Sequence, residues 1–318
     1  MTTTTTNYIQ PLTPEWHEAR KRRITGTDVA AIMGASPHKT ALQVWARLTG
    51  KLESDFQGNG FTRWGNATED ANRALLADEA GLEVSDSPGF VIDAECDWLG
   101  ATPDGLIAQQ GSDDFGVWEG KSPSMWTADD WTEDEAPLAY QIQQQAQMRV
   151  TGLGWGVLSA LIPPRKADDS PLWWRQVEAN VKFQETMMGA LIDFWDKHVM
   201  LDIPPDATGR PVDAQVLREL HPRDNGSAIR LDPSMDAVIF QLEKAKAEEK
   251  RQSKIRKDLE ATLRQRIGDA TFATSADGER CWSWKTQTQQ IKAHDAYTRE
   301  VRVLRSIKRL PKGVEVSE

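Results

Sequence analysis

Cysteine is nearly missing from this chain: there are two in 318 residues, Cys96 and Cys281, set far apart. Such a pair suggests no disulfide framework, and a reducing cytosol is the simplest compartment. Also lacking is any run of the ~18–20 uncharged apolar residues needed to span a bilayer, so no membrane association is expected. The start, Met1 to Thr6, is a threonine run without the basic-then-apolar layout of a secretion signal. Basic charge is in deficit, with 38 Lys and Arg against 48 Asp and Glu and a net charge of −10. That argues against a surface coated in positive charge to grip nucleic acid. It leaves room for a local basic groove, or for an acidic site that holds divalent cations.

What is present is globular in composition: 39% hydrophobic and 27% charged residues, with 22 Gly and 16 Pro. Collagen, wholesale disorder and a disulfide-stapled miniprotein are excluded. The length fits one large domain, or a main domain with an appendage. Residues 1–13 read as a mobile tail. Helices are expected over 14–22, with Thr13 as cap and Pro14 at the first helical position, over 29–33 and 40–48, and over a long span 61–79 after a polar loop at 53–60. Short apolar runs bounded by turn residues then predict strands at 83–85, 89–92, 99–102, 105–108 and 117–121. A glutamine-rich helix at 138–151, strands at 155–161 and 173–177, and a helix at 181–198 follow. This order describes an α/β or α+β core on a mixed sheet flanked by helices, spanning 14–202. Three prolines and a glycine between Ile203 and Pro211 mark a linker, taken as 203–232. Beyond it, 233–318 is an extension made of a charged helix up to ~50 Å long and a β-hairpin at 271–290. Asp277-Gly278 there signals a type I′ turn. The helix could be half of a helical hairpin or an oligomer contact. No long internal repeat is apparent.

The chemistry concentrates in Ala101-Thr102-Pro103-Asp104-Gly105-Leu106 and Val117-Trp118-Glu119-Gly120-Lys121-Ser122. Strand alternation turns Glu119 and Lys121 to one face and Gly120 to the other. Asp104 and Glu119 offer hard oxygen ligands suited to Mg²⁺ or Mn²⁺, and Lys121 could orient a water or stabilise a charged transition state. Pro-Asp-Gly is also a common turn, and Glu-x-Lys a common exposed ion pair. Three neighbouring segments add weight. Trp64-Gly65-Asn66 opens the long helix, where Glu69 is either a third carboxylate or a first-turn acid favoured by the helix dipole. On the 138–151 helix, Gln143 and Gln147 share a face, as water-holding amides or as a solvated stripe. Arg20 and Thr27 near the start suit a terminal phosphate, or are simply a surface guanidinium and a cap.

In this order the segments resemble the lambda-exonuclease/YqaJ-type viral recombinase nucleases of the PD-(D/E)XK superfamily. The resemblance runs from Trp-His-x-x-Arg and Ile-Thr-Gly-Thr-Asp, through Met33-Gly34-Ala35-Ser36-Pro37 and Trp45 to Gly50, to Trp-Gly-Asn…Glu. Pro-Asp-Gly, Glu-x-Lys-Ser-Pro and Tyr-x-x-Gln…Thr151-Gly152 complete it, over about residues 14–165. It implies a PD-(D/E)XK nuclease core. Glu69, Asp104, Glu119 and the Gly120 carbonyl would hold one or two Mg²⁺, Lys121 would be the catalytic lysine and Gln143 the motif glutamine. Arg20 and Thr27 would bind a DNA 5′-phosphate. The implied activity is Mg²⁺-dependent 5′-to-3′ digestion of linear double-stranded DNA in phage-type recombination. A single-strand annealing protein is the implied partner, and a ring-shaped homo-oligomer the implied assembly. One departure is Gly120, where a bulkier apolar residue is usual, which leaves the site backbone more flexible. An endonuclease of the same superfamily and a non-catalytic DNA-end-binding scaffold are the alternatives. A Cas4-like protein is disfavoured, because the four cysteines of an iron–sulfur cluster are absent. Two further readings concern DNA: a basic cluster at Arg299–Lys312 as either a contacting arm or a solvated helix face, and Trp126 and Trp131 as residues that could stack on bases. Trp45, Trp98, Trp155 and Trp195 read as core.

Overall fold

The computed structural model describes residues 8–11, 13–52, 60–164, 166, 170–286 and 316–317. Residues 53–59 of the expected loop, the basic cluster at 299–312 and most of the expected tail therefore lie outside the described residues, and Gly60 belongs to a helix. The chain divides into two units, 1–222 and 223–318.

The first unit opens with α1 (Pro14–Lys21), a two-residue strand β1 (Ile24–Thr25), α2 (Gly26–Ile32) and α3 (Ala41–Leu48). Thr13 caps α1 as the sequence suggests, and Thr40, expected inside the next helix, caps α3 instead, each hydroxyl accepting a backbone N–H at 3.2 Å. α2 starts three residues earlier than expected. Asp28, in its first turn, accepts the Thr25 backbone N–H at 2.9 Å and draws the helix start back to Gly26. The long helix α4 (Gly60–Ala80) follows, then β2 (Leu82–Val84), β3 (Val91–Ile92), β4 (Leu99–Ala101), β5 (Gly105–Gln109) and β6 (Gly116–Lys121). After a short 3₁₀ turn come α5 (Leu138–Thr151), β7 (Trp155–Leu161), β8 (Leu172–Glu178) and α6 (Val181–Phe194). The expected helix 181–198 is α-helical only to Phe194 and continues as a π-helix over Trp195–Met200. Last is α7 (Pro211–Leu220).

The main sheet has the order β2-β5-β6-β7-β8. Only β6 and β7 run parallel, joined by the crossover that contains α5, and the other neighbours are antiparallel. Alternation along β6 divides the two faces. Trp118 packs with Leu76 of α4, while Glu119 meets α5. The mixed sheet flanked by helices is the expected α/β class. A small sheet β1-β4-β3 lies beside a second core of Ile24, Val29, Trp45, Leu99, Ile142 and Leu191. Trp45 and Trp155 are buried, and Trp98 stacks on Trp195 with ring centroids 5.3 Å apart.

The segment expected to be a linker carries α7, which docks on α3. Buried Asp213 accepts the Thr40 hydroxyl, Val216 joins the core, and Arg210 donates to the Lys39 carbonyl at 3.0 Å. The first unit therefore reaches Pro222 and does not end at 202. In the second unit, β9 (Ala228–Ile229) precedes α8 (Met235–Ile267), and β10 (Phe272–Thr274) pairs with β11 (Cys281–Ser283). β12 (Val316–Ser317) pairs with β9. The β10–β11 hairpin is as expected, but its turn is not type I′. Among the described residues the only non-glycine with positive φ is Asp202, so Asp277 does not adopt the left-handed conformation that turn needs. Instead Gly278 alone is left-handed, at φ 75°, and donates to the Ser275 carbonyl at 3.0 Å. No described helix is long and apolar enough to cross a membrane.

Candidate active site

The site forms where the β5–β6 hairpin meets α4 and α5. Asp104 lies just before β5. Its backbone N–H donates to the Trp118 carbonyl at 3.1 Å, and its Oδ2 accepts the Gly120 N–H at 3.0 Å. Both bonds pin the carboxylate across the hairpin against β6. Two residues apart on one face of β6, Lys121 donates through Nζ to Glu119 Oε1. The shared face deduced from strand alternation is thus present as a contact. Glu119 is only 1% exposed, and Gln143 and Gln147 of α5 donate to its Oε1 and Oε2, each at 2.5 Å. Lys121 Nζ also lies 5.2 Å from the Tyr140 ring centre.

A cavity of about 240 Å³ opens beside this pair, with Glu69, Asn72, Asp104, Gly120, Lys121 and Ser122 in its wall. Glu119 is not part of that wall; its carboxylate is turned toward α5 and Lys121. Among the described residues no three His, Cys, Asp or Glu groups close on one point in the manner of a metal site. The electrostatics nonetheless favour a cation. Burial, followed by the charge of Glu119, pushes the Asp104 carboxyl up to about 8, against the pull of Lys121. Burial also raises Glu69, with Arg73 opposing and Asp70 and Glu119 adding to the rise. For Lys121, burial works against the charge, but Glu119 and Asp104 outweigh it and hold the ammonium above its ordinary value. Partly buried carboxylates, with Gly120 in the same wall, form a hard-oxygen donor set whose chemistry fits a small divalent cation.

Glu69 lies in the cavity wall, but not in a first helical turn. α4 begins at Gly60, so Glu69 sits in mid-helix, where the helix dipole gives no account of it, and pairs with Arg73 one turn on at 3.3 Å. Gln143 reaches the site as expected, but as a donor to Glu119. Its helical neighbour Gln147 is a second such donor, and its one-turn spacing was the sequence signal for it. Arg20 lies over the Trp16 ring, 4.0 Å from its centre, and Trp16 Nε1 donates to Thr102 Oγ1 at 3.3 Å, two residues before Asp104. Burial lowers the Arg20 pKa; Asp28 opposes that and Arg47 adds to it. Thr27 is exposed at the start of α2, its hydroxyl 3.3 Å from that of Thr25.

Sequence reasoning missed Asp28. It is buried and receives Lys39 Nζ at 3.0 Å, an Arg47 guanidinium nitrogen at 2.7 Å and the Thr25 hydroxyl at 2.6 Å. The pair of loop tryptophans divides. Trp126 is 88% exposed, but Trp131 is 7% exposed, stacked on Tyr140 and edge-on to Trp173. Trp131 is core, and the expectation that it stacks on bases is overturned.

Residues 15–154 match the family model of the YqaJ-like viral recombinase domain. The resemblance read from the motifs is thereby shown. The YqaJ-like segment contains α1 through α5 and the candidate site residues. Over 271 residues the chain is 22% identical to a curated relative described as "Uncharacterized protein YqaJ" of Bacillus subtilis (strain 168), covering 84% of this chain and 82% of that protein. Among solved structures, LHK-Exo in complex with dAMP is 25% identical with TM-score 0.49. The alkaline exonuclease LHK-Exo from Laribacter hongkongensis is 26% identical with TM-score 0.48. Each covers 58% of this chain and 92% of its own.

Proposed function

We propose that this chain is a Mg²⁺-dependent deoxyribonuclease that digests linear double-stranded DNA from 5′ to 3′, as the nuclease of a phage-type recombination system. The observation that carries this reading is the Glu119–Lys121 contact beside Asp104, which is pinned on the Gly120 N–H. The match of residues 15–154 to a YqaJ-like viral recombinase domain supports a recombination setting. Glu69, Asp104, the Gly120 carbonyl and, once released by Lys121, Glu119 would hold one or two Mg²⁺, or Mn²⁺ in their place. That cation supplies Lewis acidity toward the scissile phosphate and its attacking water. Lys121 stays protonated, so its ammonium orients the water or offsets charge developing on the phosphate. Without the cation Gln143 and Gln147 hold both oxygens of Glu119 toward α5, and they would yield at least one oxygen for Glu119 to reach it. Arg20, seated on Trp16, and Thr27 would receive the terminal 5′-phosphate, the guanidinium supplying charge and paired donors. Double-stranded DNA ends are the proposed substrate and a single-strand annealing protein the proposed partner, in a cytosolic setting, with a ring-shaped homo-oligomer as the proposed assembly.

The test is a Mg²⁺-dependent digestion of matched linear and circular duplexes. Loss of the linear form alone, starting at 5′ ends, is the expected result. Nicking of the circle would replace the exonuclease with an endonuclease. End binding without cleavage would leave a recombination scaffold.

A further inference from the structure

Asn72 lies on α4 one turn after Glu69, in the same cavity wall, and is 1% exposed. Its Nδ2 donates to the Lys121 carbonyl at 3.2 Å, and its Oδ1 accepts the Ser159 hydroxyl at 2.7 Å. Ser159, paired with Gly120 across β6 and β7, in turn accepts Trp118 Nε1 at 2.9 Å. A polar chain from Trp118 through Ser159 and Asn72 thus ends on the backbone of Lys121, within the apolar layer of Leu76, Ile107 and Val157. Hydrogen bonds buried in apolar surroundings are geometrically demanding, because an unmade one costs the full desolvation of the group.

Gly120 belongs to the same arrangement. A Cβ built there would lie 2.8 Å from Trp118 Cζ2 and 3.1 Å from Asn72 Nδ2. The space that a bulkier residue would use is already filled by the Trp118 ring and the Asn72 amide. The expectation that glycine leaves this backbone more flexible is therefore answered by a bond from α4.

We propose that Asn72 is a positioning residue, which locks the end of β6, carrying the Gly120 carbonyl and Lys121, at a set distance from Glu69 on its own helix. The inference deepens the nuclease reading and rests on it for its catalytic consequence, though the lock itself is a property of the apo chain. Displacements of about 1 Å at a reacting centre cost about a hundredfold in rate, so a small slip of this strand end is enough to matter.

The experiment uses Asn72→Ala and Ser159→Ala in the full chain. First, hydrogen–deuterium exchange is followed in peptides spanning 119–122 without divalent ions. Exchange about tenfold faster in Asn72→Ala, with a smaller rise in Ser159→Ala, is expected from release of a local lock. Second, Mn²⁺ binding is titrated by electron paramagnetic resonance without DNA, and linear-duplex digestion is split into kcat and KM. Weaker Mn²⁺ binding and a kcat lowered by about ten- to a hundredfold, with KM within about twofold, are expected. A merely structural asparagine would lower the melting temperature and leave exchange at 119–122, Mn²⁺ affinity and kcat per folded molecule unchanged, and that outcome overturns the proposal. If wild type neither binds Mn²⁺ nor cuts DNA, the nuclease reading fails alone; unchanged exchange at 119–122 still overturns the lock.

Discussion

Replacing Asp104 by Asn should stabilise the metal-free protein, and more so as the pH rises. In the fold the Asp104 carboxyl is pushed from 3.8 up to about 8, first by burial and then by Glu119. Between those two values the unfolded chain has released the proton while the folded chain keeps it. The folded state then binds more protons, so stability falls as pH rises from about 4 to about 8. Below that window the penalty is absent, and above it the penalty is complete. A gap of about four units at ~1.36 kcal/mol each corresponds to roughly 6 kcal/mol. Asn keeps an acceptor for the Gly120 N–H but still buries an amide, so about half of that, roughly 3 kcal/mol, should be recovered. For a unit of this size that is a melting-temperature gain of about 6–12 °C at pH 8, shrinking to little at pH 5. Circular dichroism melts of both proteins in chelator, from pH 5 to 9, measure it. Mg²⁺ added at pH 8 should raise the wild-type melting temperature more than that of the variant. A pH-independent difference, or a variant less stable at pH 8, would refute the electrostatic argument and with it the account of why this cavity attracts a cation.

Strong local periodicity made several parts of this fold legible. Residues 138–151 and 155–161 carry their patterns without interruption, and helix and strand run over those same spans. Alternation over six residues was enough to put Glu119 and Lys121 on one face. What stayed hidden depends on partners distant in the chain. Asn72 gains its meaning from Ser159, 87 residues away, and Gly120 from the ring and amide that fill its side-chain space. Trp131 looked like a loop residue because nothing nearby in sequence announces that Tyr140 and Trp173 close over it. The reading of Glu69 as a first-turn acid fails on the helix start itself, expected at 61 and found at Gly60, which leaves Glu69 more than two turns inside. The turn at Asp277-Gly278 shows the same limit. A dipeptide names a preferred turn, but the bond from Ser275 N–H to the Arg280 carbonyl, 2.8 Å long, selects a longer loop.

Three further perturbations test the assignments. Lys121→Ala should keep DNA-end binding and lose cleavage by about a hundredfold or more, read by single-turnover digestion alongside a binding titration; wild-type turnover would remove the lysine from the chemistry. Arg20→Ala should slow digestion of 5′-phosphorylated ends about ten- to a hundredfold, the worth of one charge-assisted contact, and slow 5′-hydroxyl ends less; equal slowing would contradict the anchor. Asp28→Asn reaches the same anchor from beneath. Burial pushes the Asp28 carboxyl up, but Lys39 and Arg47, with the Thr25 hydroxyl, outweigh it and hold the group at about 2, down from 3.8. Neutralising it leaves two cations without their shared anion, at a cost of about 3–5 kcal/mol at neutral pH by urea denaturation. Because the folded pKa is depressed, the wild-type advantage is present above about pH 4 and is lost as pH falls toward about 2, by roughly 2 kcal/mol. The gap between the two proteins should narrow over that range, and a constant gap would assign the effect to packing. Arg47, besides meeting Asp28, donates to the carbonyls of Arg20, Lys21 and Arg23 at 3.0–3.1 Å, where α1 ends. Loosening Arg47 therefore loosens the helix end that carries Arg20. Asp28→Asn should then also erode the preference for 5′-phosphorylated ends, even though its own carboxylate lies buried beneath the proposed phosphate site.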